Sequence, residues 1–208
     1  MSRELILHHP DIRQFTTVWM DSLRGGESML VNTNKLIRFY DGATGLKTGS
    51  TGSAGYCLSA TAEKNGMELI AVVLKGKTSD ERFSDAKSLL NYGFSTWSLV
   101  TVTPDEVLPP VPVMLGVRGT VQPVLTSENT LLVEKTLANS LTKEIALAES
   151  VAAPVYAGDT LGQLTVRDAA GNTVAELPIL AGEDVGHVTF VQMLGRCLVR
   201  GFCMGSQS

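Results

Sequence analysis

Gly45-Leu-Lys-Thr-Gly-Ser-Thr-Gly52, Gly55-Tyr-Cys-Leu-Ser-Ala-Thr61 and Met67-Glu-Leu-Ile-Ala-Val-Val-Leu74 decide the fold of the first half of the chain. The last two runs flank Lys64-Asn-Gly66. An Asn-Gly pair between apolar runs signals a β-hairpin, because both residues tolerate the positive φ that a two-residue turn demands. The glycine-rich run before it reads as a strand leading into the hairpin. After Gly76, Ser79 is placed to cap a helix, with Arg82 on its first turns and Phe83, Ala86, Leu89, Leu90 and Tyr92-Gly93 at helical spacing. That helix packs back on the hairpin.

Working outward, residues 2 to 9 and 11 to 23 carry apolar positions at helical spacing, among them Leu5, Ile6, Phe15, Val18, Trp19 and Leu23. Pro10-Asp11 can restart a helix, so one or two packed helices are expected, ending at Gly25-Gly26. Met29-Leu-Val31 and Leu36-Ile-Arg-Phe-Tyr40 are short apolar runs around the polar Asn32-Thr-Asn34, and read as strand or loop before a turn at Asp41-Gly42.

From about residue 99 the texture changes. Pro104, Pro109, Pro110 and Pro112 cluster, and short β-rich runs follow at Val111-Pro-Val-Met-Leu115, Val121-Gln-Pro-Val-Leu125, Thr130-Leu-Leu-Val133, Leu161-Gly-Gln-Leu-Thr-Val166 and Thr173-Val-Ala-Glu-Leu177. Such runs, broken by Gly, Asn and Pro, predict a small all-β domain with its boundary near residue 100. Ala169-Ala-Gly-Asn172 reads as the turn between the last two strands. The end, Phe190 to Met204, is apolar with Arg196 and Arg200 one turn apart, as in an interfacial helix.

The bulk numbers exclude several classes. A chain of 208 residues that is 44% hydrophobic and 18% charged can bury a substantial core. Its formal charge of −4 supplies no basic field for nucleic acid. Cys57, Cys197 and Cys203 form no C-x-x-C pair and cannot close an even disulfide set, so free thiols are expected. His8-His9 point about 100° apart on a helix, and His187 stands alone, so neither reads as a metal site. No metal and no cofactor is implied. Nothing approaches the roughly 18 to 20 apolar residues needed to span a bilayer. The opening ten residues lack the apolar core and cleavage site of a signal peptide. Read literally, they start a cytoplasmic protein; they fit equally a chain cut inside a helix.

Lys47-Thr48-Gly49 carries the chemistry. Lys-Thr-Gly belongs to the motif set of serine acyl-transfer enzymes acting on D-Ala-D-Ala peptides and β-lactams, alongside S-x-x-K and S-x-N. A strand edge offers backbone groups to an extended peptide, Gly49 permits close approach, Lys47 adds positive charge and Thr48 offers a hydroxyl to a carboxylate.

Taken with Asn32-Thr-Asn-Lys-Leu36, Gly42-Ala-Thr-Gly-Leu-Lys-Thr-Gly-Ser-Thr51, Ala54-Gly-Tyr-Cys-Leu-Ser-Ala-Thr61 and the run from Glu81-Arg82 to Leu89-Leu-Asn-Tyr-Gly-Phe94, the chain resembles the low-molecular-mass penicillin-binding D-alanyl-D-alanine carboxypeptidases. Ala153-Pro154 and Gly158-Asp-Thr-Leu-Gly162 resemble that family's C-terminal β-domain. The resemblance implies that Lys47 helps organise proton transfer, that Thr48 and Thr51 face the substrate beside Gly49, and that the Ser50 backbone N–H lends a donor to an oxyanion hole. It also implies that Arg82 approaches the substrate's terminal carboxylate; a solvated helix arginine paired with Glu81 or Asp85 is the other reading.

The family's serine and lysine of S-x-x-K, and its S-x-N pair, precede Lys-Thr-Gly, and no such motif occurs before Lys47. Ser84-Asp-Ala-Lys87, Ser140-Leu-Thr-Lys143 and Ser127-Glu-Asn129 match as strings, but all lie downstream and read as chance. The expected class is therefore α+β: residues 1 to 98 as the C-terminal part of a penicillin-binding/β-lactamase-like α/β domain, 100 to 187 as a small all-β domain, and 188 to 204 as an amphipathic helix. The implied activity is removal of the terminal D-Ala from peptidoglycan stem peptides through an acyl-serine, with the chain inactive alone. Stem peptide and β-lactams are the implied ligands, the missing N-terminal half the implied partner, and the place is outside the cytoplasmic membrane, peripheral on its surface through the tail helix. Two rivals remain: a non-catalytic module that binds peptidoglycan or a partner, and a class A β-lactamase relative, against which the trailing β-domain argues.

Overall fold

The computed structural model describes residues 1–195; the rest of the tail, with Cys197 and Cys203, lies outside the described residues. The chain forms two compact units, Met1–Leu99 with Leu132–Thr136, and Val100–Leu131 with the residues from Leu137 onward.

In the first unit, α1 (Ser2–His8) and α2 (Arg13–Thr16) precede β1 (Met20–Leu23), β2 (Ser28–Val31) and α3 (Leu36–Phe39). Next come β3 (Ala43–Thr51), β4 (Gly55–Lys64), β5 (Met67–Gly76), α4 (Ser79–Thr96) and β6 (Trp97–Thr101), whose last two residues belong to the second unit. The sheet order is β3-β4-β5, both pairs antiparallel, and β4 turns into β5 through Asn65 (φ 51°) and Gly66 (φ 76°). Those two positive φ values are what the Asn-Gly pair predicts. Leu58, Ala60 and Ala62 alternate along β4 on the face covered by Phe83, Ala86 and Leu90 of α4, and these six form the heart of the core with Leu36 and Tyr40. The small alanines let helix and sheet approach closely. Gly93 extends this: a Cβ there would stand 2.5 Å from Leu69 Cδ1.

Three local expectations need correction. The helix expected over residues 11 to 23 stops at Thr16, and Met20–Leu23 is instead a strand paired with Ser28–Val31. Thr16, Thr17 and Val18 are β-branched and weak helix formers, and the Asn32 side chain ends the helix by donating to the carbonyls of Thr16 (3.3 Å) and Val18 (2.9 Å). Leu36–Phe39 is one helical turn rather than strand or loop, started by Asn34 Oδ1 accepting from Leu36 N–H. The cap of α4 is Thr78, whose Oγ1 accepts from Glu81 N–H at 3.1 Å, one residue before Ser79. The helix also runs past Gly93 to Thr96.

The second unit is built from β7 (Val111–Met114), β8 (Thr120–Val121), β9 (Pro123–Leu125), β10 (Thr130–Glu134), α5 (Lys135–Ala138), β11 (Thr142–Leu147), β12 (Val151–Ala152), β13 (Thr160–Arg167) and β14 (Thr173–Ala181), where β10 and α5 contribute residues to both units. A four-stranded sheet runs β11-β13-β14-β9 and a three-stranded one β12-β7-β8. Leu164, Val166, Leu177 and Ile179 fill one core with Val102 and Leu108; Val111, Val121, Leu161 and Val185 fill the other. The expected run 121 to 125 breaks at Gln122 into two strands serving different sheets. β14 continues through Pro178 to Ala181, because β9 covers it only from Ile179 onward, so the missing N–H leaves that pairing intact.

Candidate functional site

β3 is the first strand of its sheet, so one side of its backbone has no strand neighbour among the described residues. Its register on β4 pairs Lys47 with Ser59, Thr48 with Leu58, Gly49 with Cys57, Ser50 with Tyr56 and Thr51 with Gly55. Lys47, Gly49 and Thr51 share one face and Thr48 and Ser50 the other, by the two-residue period of a strand. A Cβ at Gly49 would meet nothing within 4 Å, so the glycine leaves that stretch of strand open to an approaching backbone. Lys47 is exposed, its Nζ donates to the Thr48 carbonyl, and it makes no ion pair among the described residues. Ser50 is exposed. Thr51 Oγ1 accepts from Ala54 N–H at 3.0 Å, which ties its hydroxyl into the β3–β4 turn.

A loop before α3 braces this edge. Asn34, only 3% exposed, donates to the Gly45 carbonyl (2.9 Å) while its Oδ1 receives the Leu36 N–H (3.2 Å). Asn32 Oδ1 accepts from Asn34 N–H (2.9 Å). Between them the exposed Thr33 hydroxyl lies 2.7 Å from the Thr48 hydroxyl. Thr33 was not singled out by residue type. The visible signal was a polar Asn-Thr-Asn triplet between apolar runs, but its partner stands fifteen residues on and only the fold joins them.

Arg82 is not a solvated helix residue. It is 6% exposed, with Nη1 3.2 Å from the carbonyls of both Gly49 and Cys57, and Nη2 3.4 Å from Ser79 Oγ. Its guanidinium lies 5.4 Å from the Tyr56 ring and 4.8 Å from the Phe83 ring. Glu81, the suggested partner, instead caps the Lys77 N–H.

The downstream string matches are not assembled into a site. Ser84 and Lys87 are exposed on α4, Ser140 donates to the Leu137 carbonyl, and Lys143 pairs with Asp105. His8 meets Glu4 at the surface, and His187 Nδ1 lies 2.7 Å from the Val188 carbonyl. Among the described residues no cluster of His, Cys, Asp or Glu could hold a metal ion, and no helix is long and apolar enough to cross a membrane.

A second feature of the first unit is an exposed apolar face. Phe15 and Phe39 are each 69% exposed, and Met20, Leu23, Met29, Leu30 and Val31 on β1 and β2 are about half exposed. A groove of about 260 Å³ runs between Phe15, Val18, Trp19, Leu30 and Val31.

Comparison with known proteins places both units. Residues 1–78 match the family model described as D-alanyl-D-alanine carboxypeptidase, and residues 100–187 match the penicillin-binding protein 5 C-terminal domain. The D-alanyl-D-alanine carboxypeptidase DacF of Bacillus subtilis is 34% identical over 203 residues, which is 95% of this chain and 52% of that protein. DacC of Escherichia coli is 30% identical, covering 68% of this chain and 36% of its own. The chain thus spans about half the length, or less, of these curated relatives. Among solved structures, penicillin-binding protein 5 of Haemophilus influenzae shares the fold with a TM-score of 0.70 at 23% identity, over 88% of this chain and 54% of that one. PBP3 of Streptococcus pneumoniae, described as a peptidoglycan synthesis regulatory factor, gives 0.61 at 25% identity, over 88% of this chain and 55% of that one. With one model on the first unit, another on the second, and a relative aligned along nearly the whole length, the chain belongs to the D-alanyl-D-alanine carboxypeptidase family of low-molecular-mass penicillin-binding proteins.

Proposed function

We propose that this chain supplies the ligand-binding strand of a serine-type D-alanyl-D-alanine carboxypeptidase, which removes the terminal D-Ala from peptidoglycan stem peptides and reacts with β-lactams. The observation that carries the reading is the free edge of β3 at Lys47-Thr-Gly, open at Gly49 and braced from behind by Asn34, Thr33 and Arg82. An extended peptide adds to such an edge by main-chain hydrogen bonds. The Thr48 hydroxyl then meets the peptide's carboxylate, Lys47 lends its charge to proton transfer, and the Ser50 N–H faces the oxygen that becomes negative on acylation. The serine and lysine of S-x-x-K, and the S-x-N pair, come from polypeptide outside residues 1–208, and the apolar face of α2, β1 and β2 is the surface that polypeptide covers. The reaction takes place outside the cytoplasmic membrane, with the start of the tail, residues 188–195, lying on its surface. Its described turns, residues 190–195, are helical with Phe190 and Val191 exposed.

The test is labelling with a fluorescent penicillin, read by intact mass, with D-Ala release measured in parallel. The chain alone is expected to give no adduct. Mixed with the upstream half of a related carboxypeptidase it gives adduct and D-Ala release, and Lys47→Ala lowers both by about 10²–10⁴-fold. An adduct on the chain alone, or no loss with Lys47→Ala, overturns the reading.

A further inference from the structure

We infer that Arg82 is a positioning residue acting through the Gly49–Ser50 peptide: by donating to the Gly49 carbonyl it fixes and strengthens the Ser50 N–H as a donor on the opposite side of that peptide. This deepens the reading of β3 as the ligand edge and rests on it for its purpose, though not for its geometry.

A trans peptide is planar, with its C=O and N–H pointing in opposite directions. Gly49–Ser50 is not among the cis peptides of the chain. The Gly49 carbonyl points inward, since its partner Arg82 stands on α4 and shares Nη1 with the Cys57 carbonyl of β4. The Ser50 N–H on the far side of the same plane therefore points to the free edge. Cys57 stays in register with Gly49 on β3 while β4 slips its register on β5 between Tyr56 and Leu58, so the guanidinium adds a donor where two paired carbonyls stand together.

What makes this donor strong is its isolation. Arg82 is buried, enclosed by the rings of Tyr56 and Phe83, and forms no ion pair among the described residues. A guanidinium without a carboxylate delivers its charge to the carbonyls it touches, and a hydrogen bond from a charged donor is shorter and roughly twice as strong as a neutral one. Withdrawing density from the Gly49 oxygen polarises the amide and makes the Ser50 hydrogen more positive, as successive hydrogen bonds in a chain polarise one another. Arg82 thereby tunes a group that it does not touch. The direct role, contact with a ligand carboxylate, asks the same guanidinium to leave the carbonyls that now hold it.

The experiment is NMR on the ¹³C,¹⁵N-labelled 208-residue chain. A through-hydrogen-bond coupling between Arg82 Nη1 and the Gly49 carbonyl carbon is expected in the unaltered protein. Arg82→Gln is expected to move the Gly49 carbonyl and Ser50 amide-proton resonances upfield, and Arg82→Lys to restore part of both shifts, while the Leu58 and Leu90 amides stay put as evidence of an intact core. No coupling in the unaltered protein, or unchanged Gly49 and Ser50 signals in folded Arg82→Gln, overturns the inference. Titration with D-alanyl-D-alanine then separates it from the reading beneath it. A dipeptide that shifts the Ser50 amide while the coupling persists supports a positioning role; one that shifts the guanidinium and abolishes the coupling replaces it with direct contact. If the dipeptide disturbs no β3 amide, the ligand edge fails, and the coupling and variant shifts still decide the role of Arg82.

Discussion

Single side chains hold this site in ways that residue type alone conceals. Asn34 looks like one polar residue of a loop, yet it bonds two backbone groups from inside the core. Asn34→Ala leaves the Gly45 carbonyl and the Leu36 N–H without those partners, and an unsatisfied buried group costs about 1–3 kcal/mol. Urea unfolding of the variant should show a loss in that range at unchanged m-value; a loss near zero would mean that water replaces the side chain. Tyr40 gives a pH signature. Burial, and then the negative charge of Asp41, raise its pKa above the ordinary 10.0, and its hydroxyl donates to Asn91 Oδ1 at 2.9 Å. The unfolded tyrosine ionises first. The stabilisation is therefore fully present below pH 10.0 and is lost as pH rises through the folded value. Tyr40→Phe, which costs about 1 kcal/mol at neutral pH through the lost hydrogen bond, should show no such alkaline decline in stability measured from pH 8 upward. Arg82 shows the limit of reading charge from sequence: beside Glu81 and Asp85 it resembled a surface ion pair, and burial against Phe83 is a tertiary fact.

Elements were legible where the signal was local. The hairpin follows from Asn65-Gly66, and α4 from apolar spacing with a capping hydroxyl expected at Ser79 and found at Thr78, because the forces that set them act within a few residues. β1 was hidden, since Phe15, Val18, Trp19 and Leu23 fit a helical stripe as well as a ribbon, while Met29-Leu-Val31 of β2 was readable as strand or loop. What decides there is the Asn32 side chain, together with the positive φ values at Arg24, Gly25 and Gly26 that turn the chain. β11 was missed for another reason: Thr142-Lys-Glu-Ile-Ala-Leu147 is a half-polar edge strand without alternation strong enough to read. Its pairing can be tested at Gly162, where a Cβ would stand 2.2 Å from the Ala146 carbonyl oxygen and 2.9 Å from Leu147 Cα. Both obstacles are backbone. Gly162→Ala should destabilise the second unit by about 1–3 kcal/mol, the cost of overpacking, with amide exchange accelerated first in Ile145 and Leu164. Unchanged exchange along β11 would refute that account.

Across the molecule, the described residues close a core in each unit, while the face of α2, β1 and β2 is left apolar and open. Scattered apolar residues are ordinary on a surface, but Phe15, Leu30 and Val31 around one groove, with Met29 and Phe39 nearby, are a concentration that folded proteins seldom leave in water. The unaltered chain should bind a hydrophobic dye and self-associate as concentration rises. Phe15→Ser with Leu30→Lys should lower both while changing stability little, because exposed sites contribute within about 0.5 kcal/mol. Equal dye binding by the double variant would place the sticky surface elsewhere. The free edge of β3 has a consequence of another kind. The row of edge amides and carbonyls that Asn34 and Lys47 leave unclaimed can accept an extended chain, including β3 of a neighbour, and little along 45–52 beyond Lys47 repels one. Storage life and crowding tolerance should therefore depend on whether that row is occupied, and a short peptide laid along it would act as a preservative.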